Sequence, residues 1–131
     1  MPGQYRTQQD LIVAVLGRLG VLSAGQPVDA EDVTAVTSEL DGIFRKLSAL
    51  EIVTIPDPNS IPGAYFADLA DIIAGELCTK FGSKTEDYVM LIKKGLGGVE
   101  GIDVGSGAAA KSLRQITRGR PTYETLRAQY M

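Results

Sequence analysis

The longest helical pattern in the sequence determines the expected fold class. Apolar residues that recur every three or four positions lie on one face of an α-helix. This spacing predicts a helix over about 30–50, whose apolar face is formed by Val33, Val36, Leu40, Ile43, Phe44, Leu47 and Leu50. Shorter stretches predict further helices over about 8–19, from about Pro62 to Phe81, and from Ser83 or Thr85 to Lys94. We therefore expect an all-α protein, a four-helix bundle with an extended or partly helical C-terminal arm.

Local signals mark where these helices begin and end. Thr7 followed by Asp10 has the pattern of a capping box, and Gly20 supplies the left-handed residue that ends a helix. Asp29 precedes the long helix and carries the short acceptor side chain of an N-cap. Residues 52–62 contain three prolines, which remove backbone donors. We expect an extended segment there, whose isoleucines pack on the helices.

Glycine is concentrated after the fourth predicted helix. Six of the 15 glycines lie within thirteen positions, and glycine loses more backbone entropy on ordering than any other residue. This composition predicts a flexible joint, and the chain is divided into a helical bundle over 1–98, a Gly-rich joint over 99–107 and a C-terminal docking arm over 108–131. The expected hinge residues are Gly95, Gly97, Gly98, Gly101, Gly105 and Gly107.

Charge divides at the same place in the chain. Residues 1–100 hold 8 basic and 14 acidic side chains, whereas residues 101–131 hold 5 basic and 2 acidic ones. The later segment also carries Tyr123, Leu126 and Tyr130 at i, i+3 and i+7, a spacing that fits helix-in-groove recognition. It is therefore predicted to dock on another surface, with a solubilising tail as the alternative. The predicted docking residues are Lys111, Arg114, Arg118, Arg120, Tyr123, Leu126, Arg127 and Tyr130.

Residue types on which most enzymes depend are scarce. The chain has no His and a single Cys, so the usual general base, the commonest metal ligand and any Cys cluster are missing. Cys78 is expected to be a core thiol, and the acidic residues between 29 and 41 are expected to cap and solvate the long helix. We predict no catalytic residue, no metal site, no cofactor and no enzymatic activity.

Net charge and hydropathy disfavour two further classes. A net charge of −3 and a pI near 4.9 have the wrong sign for a protein that coats nucleic acid with its whole surface. The longest uncharged apolar run, Leu11–Gly17, is too short for a membrane span. The polar N-terminus lacks the features of a signal peptide. We expect a soluble protein of the cytosol with no membrane association.

Two stretches carry a resemblance to a known family. Residues 7–27, TQQDLIVAVLGRLGVLSAGQP, combine a helix that ends in Leu-Gly-Val with a short loop containing Gly and Pro, and LDGIF at 40–44 lies in the long second helix. This arrangement resembles the head-to-tail connector family of tailed phages, and more narrowly the tail accessory factors, or packaged-DNA stabilisation proteins, of short-tailed phages. The resemblance covers about residues 5–82.

The resemblance implies a structural virion protein. It implies a homo-oligomeric ring, with twelve as the expected number of subunits, that docks beneath the portal, continues the DNA channel, retains packaged DNA and offers a platform to a tail hub or nozzle protein. In that family the C-terminal arm holds the portal and neighbouring subunits, while DNA passes without sequence-specific contact. The implied location is the head–tail interface of the virion, after synthesis in the bacterial host cytoplasm. An alternative from another class is a small helical regulator that binds nucleic acid through its basic arm.

Overall fold

A computed structural model of the chain describes residues 5–20, 28–78, 85–99 and 101–117. The all-α class is confirmed, because these residues form five helices and a single pair of two-residue strands. The four expected helices are joined by a fifth that packs in the same core. In chain order the elements are β1 (Tyr5–Arg6), α1 (Gln8–Leu19), α2 (Ala30–Ala49), β2 (Ile61–Pro62), α3 (Gly63–Leu77), α4 (Thr85–Lys94) and α5 (Ala108–Thr117).

Helix α1 begins and ends where its sequence predicts. The Thr7 hydroxyl accepts a hydrogen bond from the Asp10 backbone N–H at 3.1 Å, and the Asp10 carboxylate accepts one from the Thr7 N–H at 3.2 Å. This is the predicted capping box. Gly20 ends the helix with φ of 77°, a left-handed conformation that glycine adopts without a Cβ penalty. The apolar residues on one face of α1 are buried: Leu11, Ile12, Val15, Leu16 and Leu19.

Helix α2 is capped by Asp29, whose carboxylate accepts from the Glu31 N–H at 2.9 Å. Its C-terminus closes in a Schellman motif, in which the Ile52 N–H donates to the Leu47 carbonyl at 2.9 Å. The left-handed position of this motif is occupied by Glu51, with φ of 58°, where glycine is the commoner residue. The motif turns the chain so that Ile52 packs in the core directly after the helix.

The Pro-rich segment crosses the helices as expected. Ile52 and Val53 are buried, and Ile55 packs against the same core. At its far end β2 pairs antiparallel with β1, a pairing that the sequence did not predict. The Arg6 guanidinium lies over the Phe66 ring, 4.2 Å from its centroid. The start of the chain's described part is thereby held against the start of α3.

Helix α3 lies at the centre of the described structure and packs against α1, α4 and α5, with a narrower contact to α2. Two ion pairs join neighbouring helices to it: Arg18 to Asp71 at 2.6 Å and Lys46 to Glu76 at 2.8 Å. Its residue Gly75 allows a close approach to α4, since a Cβ there would lie 2.8 Å from the Leu91 carbonyl oxygen. Small residues on α3 therefore set how near the two helices lie.

The first part of the predicted arm belongs to this core, contrary to the expected boundary between residues 107 and 108. Helix α5 packs on α3, and its residues Ala109, Ala110 and Leu113 are buried. Only two residues of this helix, Leu113 and Ile116, are large and apolar, and by themselves they would bury little surface. Alanines compensate, because a small side chain lets two helix backbones approach closely and bury the surface between them.

The Gly-rich segment also differs from the expected joint and hinge. Its described residues form a tightly hydrogen-bonded loop, in which the Leu96 carbonyl accepts from the N–H groups of both Gly105 and Gly107. A Cβ at Gly107 would collide with the Gly95 carbonyl, and one at Gly97 would collide with the Asp103 carbonyl. Glycine is required here for close backbone contact. Gly98, Gly101 and Gly105 have positive φ and form the turns of the same loop.

Candidate docking surface

A groove of about 840 Å³ lies between the end of α4, the Gly-rich loop and the start of α5. Its apolar lining comes from Val89, Met90 and Ile102, and its cationic lining comes from three lysines. We call it the lysine groove and define it by Val89, Met90, Lys93, Lys94, Ile102, Ser106, Ala108 and Lys111.

Helix α4 supplies one wall of the groove. Met90, Lys93 and Lys94 are three and four positions apart, so they share one face of the helix. Met90 is 67% exposed, whereas Leu91 and Ile92 pack against the core. The two lysines occupy the last turn, where cations are favoured by the negative end of the helix dipole. A large apolar side chain is thus held at the surface beside cationic side chains.

Helix α5 supplies the opposite wall. Ala108 and Lys111 are one turn apart and both exposed, so Lys111, a predicted docking residue, faces the groove. Arg114 does not join it. Its guanidinium donates to the Gly105 carbonyl at 2.8 Å and to the Leu50 carbonyl at 3.3 Å, both within the same chain. Arg114 therefore joins α5 to the Gly-rich loop and to the end of α2.

The remaining predicted docking residues lie outside the described residues: Arg118, Arg120, Tyr123, Leu126, Arg127 and Tyr130. The last described residue of α5, Thr117, donates its hydroxyl to the Ile52 carbonyl at 2.9 Å. This bond holds the end of α5 beside the turn that follows α2.

A second concavity, of about 420 Å³, lies where Thr117 meets the turn after α2. Three of its hydroxyl groups are already hydrogen-bonded within the chain: those of Ser48 and Thr54 are 3.2 Å apart, and that of Thr117 donates to the Ile52 carbonyl. This arrangement supports the packing of the helix ends.

Cys78, the single cysteine of the chain, lies in the core. It is fully buried, and its thiol donates to the Gly75 carbonyl at 3.2 Å. Among the described residues no group of three or more Cys, Asp or Glu side chains could hold a metal ion. Within the described ranges no helix is both long enough and apolar enough to span a membrane.

Sequence reasoning missed the lysine groove because it assigned Lys93 and Lys94 only to the end of a helix. One signal was present. Met90 is a large apolar residue that directly precedes Leu91 and Ile92, which pack against the core, and successive residues of a helix point in different directions. The opposite wall could not be anticipated, because it depends on α5 packing beside α4. Comparisons with protein-family models, with curated proteins and with solved structures found no match to this chain.

Proposed function

We propose that this chain is a structural head-to-tail adaptor of a tailed-phage virion, as its resemblance implies. In this proposal copies of the chain form a ring beneath the portal, for which twelve subunits are expected, and continue the DNA channel toward a tail hub or nozzle protein. The ring retains packaged DNA without sequence-specific contact. The chain acts by assembly and not as an enzyme.

The observation that carries the proposal is the agreement between the residues of the resemblance and the elements of the fold. The Leu-Gly-Val stretch begins at the end of α1, where Gly20 stops the helix. LDGIF lies within the long helix α2, and α3 follows the Pro-rich segment. This order of helices supports the adaptor assignment more specifically than helical content does.

Surface charge also supports a role in assembly. Glu31 and Asp32 lie in the first turn of α2, whereas the lysine groove lies beside α4 and α5. Oppositely charged surfaces on different parts of one small domain favour oriented association. An acidic surface facing the channel would let duplex DNA slide, because like charges repel.

Residues 118–131, which follow α5 and are called the C-terminal tail of the chain, are the proposed contact with the portal. Thr117, the residue that precedes them, is held to the core by its hydrogen bond to the Ile52 carbonyl. Residues 118–131 contain three arginines and two tyrosines, residue types that are enriched at interface hot spots. If the tail orders on binding, the entropy cost is met at that step, which suits assembly triggered by a completed portal.

The test is co-sedimentation with rings of the cognate portal protein. We expect the full chain to sediment with the rings and Tyr123→Ser/Tyr130→Ser to lose at least tenfold in affinity. The matched control Thr122→Ser/Thr125→Ser should bind like the full chain. Failure of the full chain to bind the rings would refute the adaptor, and equal binding by both double variants would refute the role of the tyrosines.

A regulator that binds nucleic acid through its basic tail is the second candidate, favoured by Arg118, Arg120 and Arg127 in the sequence. Fluorescence anisotropy with duplex DNA at several salt concentrations separates the two. Sub-micromolar affinity near physiological salt, with a log–log salt slope of about 0.9 per phosphate contact, would favour the regulator. The adaptor is expected to bind DNA more weakly than this.

A further inference from the structure

A negatively charged surface that could bind the lysine groove is present on the same molecule, but it lies too far away to bind the groove of its own chain. We call the first turn of α2 the acidic end and define it by Asp29, Glu31 and Asp32. The opposite end of α2 contacts α5 through Leu50 and Arg114. A helix of 20 residues is about 30 Å long. The acidic end therefore lies about one helix length from the place where α2 meets α5, and the groove of one copy can receive only the acidic end of another.

The chemistry of the groove selects among possible occupants. A nucleic-acid backbone is a poor fit, because its sugar and phosphate groups offer no apolar side chains to pack on Met90 and Ile102. The chain's own tail carries Arg118, Arg120 and Arg127, which the groove lysines repel. The acidic end combines carboxylates with Ala30 and the half-buried Val33, so it offers both negative charge and small apolar groups.

We propose that the acidic end of α2 in one copy docks in the lysine groove of the next copy. Lys93, Lys94 and Lys111 face Glu31 and Asp32 in this contact, and the exposed Met90 is covered. The contact is heterologous, so each copy keeps one free groove and one free acidic end. Repetition produces a ring if the rotation between copies closes. The proposal rests on the proposed function only for that closure.

Charge reversal tests this contact in both directions. The groove variant is Lys93→Glu/Lys94→Glu/Lys111→Glu, and the end variant is Glu31→Lys/Asp32→Lys. Asp29 is unchanged because it caps α2. All but Asp32 are exposed side chains, and far-UV circular dichroism checks that each variant is folded. Arg45→Glu, at a side chain 80% exposed on α2, is the matched control.

Association is measured by sedimentation velocity up to about 1 mM protein at low salt, where exposed charge pairs are least screened. We expect the wild type and Arg45→Glu to associate, and each reversal variant alone to associate at least tenfold more weakly. An equimolar mixture of the two variants should regain association, because contacts between unlike variants are all complementary. They alternate between a reversed groove with a reversed end and a wild-type groove with a wild-type end. The mixture should form species that alternate between the two variants.

Three outcomes would overturn the proposal: a wild type that stays monomeric throughout, reversal variants that associate like the wild type, or a mixture that does not recover. Loss of duplex-DNA binding in the groove variant, with association unchanged, would assign the groove to nucleic acid and also overturn it. Binding to portal rings is measured in parallel. If the mixture recovers association but the wild type does not bind portal rings, the contact between copies is supported and the adaptor is refuted. If the wild type binds the rings but the mixture does not recover, the adaptor is supported and the contact is refuted.

Discussion

At the residue scale, Thr7 and Asp10 show how a short polar pattern is used. The pKa of Asp10 is lowered, chiefly because its carboxylate accepts a hydrogen bond from the Thr7 backbone N–H. The Thr7 hydroxyl and Arg6 lower this pKa further. A carboxyl whose pKa is lower in the folded chain stabilises the fold above its unfolded pKa, about 3.9. That contribution is lost as the pH falls through the folded value.

We therefore predict an acid-dependent loss of stability that involves Asp10. Between pH 6 and pH 2.5 the free energy of unfolding should fall more steeply for the wild type than for Asp10→Asn, as measured by urea denaturation. At pH 7, Thr7→Ala should lower stability by about 1 kcal/mol because the N-cap acceptor is lost. Thr34→Ala, the same change inside α2, should be neutral or slightly stabilising. Equal pH profiles for wild type and Asp10→Asn would contradict the capping role.

At the element scale, two glycines inside helices predict opposite effects of the same substitution. A Cβ at Gly42 in α2 meets nothing within 4 Å, whereas one at Gly75 in α3 lies 2.8 Å from the Leu91 carbonyl oxygen. Gly42→Ala should raise the free energy of unfolding by about 0.5–1 kcal/mol. Gly75→Ala should lower it by about 1–3 kcal/mol because α3 and α4 must separate. Thermal unfolding of the two variants compares them, and changes of equal sign would argue against the close approach.

Helix α5 provides a second test at this scale. Leu113 is 0% exposed and Ile116 is 38% exposed on the same helix. Leu113→Ala should lower the free energy of unfolding by about 2–5 kcal/mol because it leaves a cavity in the core. Ile116→Ala should cost less than about 1 kcal/mol, since it buries less apolar surface. If chemical denaturation shows similarly small losses of stability for both variants, α5 is not part of the core and belongs to the predicted arm.

At the scale of the whole molecule, the helical core extends through α5. A chain that ends at Thr117 should keep a cooperative unfolding transition, because it retains the core contacts of Leu113 and the bonds of Arg114. A chain that ends at Gly107 should lose more than about 3 kcal/mol, since it removes three buried side chains with their packing. Calorimetry of both truncations makes the comparison, and similar transitions would place the boundary at 107.

The helices were predictable to the extent that their signals are local. Periodic apolar residues and Asp29 predicted α2 from about 30 to 50, and the helix runs from Ala30 to Ala49. Lys111 was predicted to dock and faces the groove, whereas Arg114, chosen from the same pattern, bonds within the chain. Spacing alone does not separate the two, because the carbonyls of Gly105 and Leu50 approach Arg114 only after the chain folds.

The sequence by itself determined the helical class, the ends of α1 and the uneven distribution of charge, because these depend on neighbouring residues. Tertiary structure alone decided three matters: that α5 belongs to the core, that the Gly-rich segment is a tight loop, and that Lys111 of α5 lines the same groove as Met90 of α4. Each depends on backbones that are distant in sequence approaching within van der Waals contact. Glycine composition is compatible both with a flexible joint and with such an approach, and only the neighbours of Gly95 and Gly107 distinguish them.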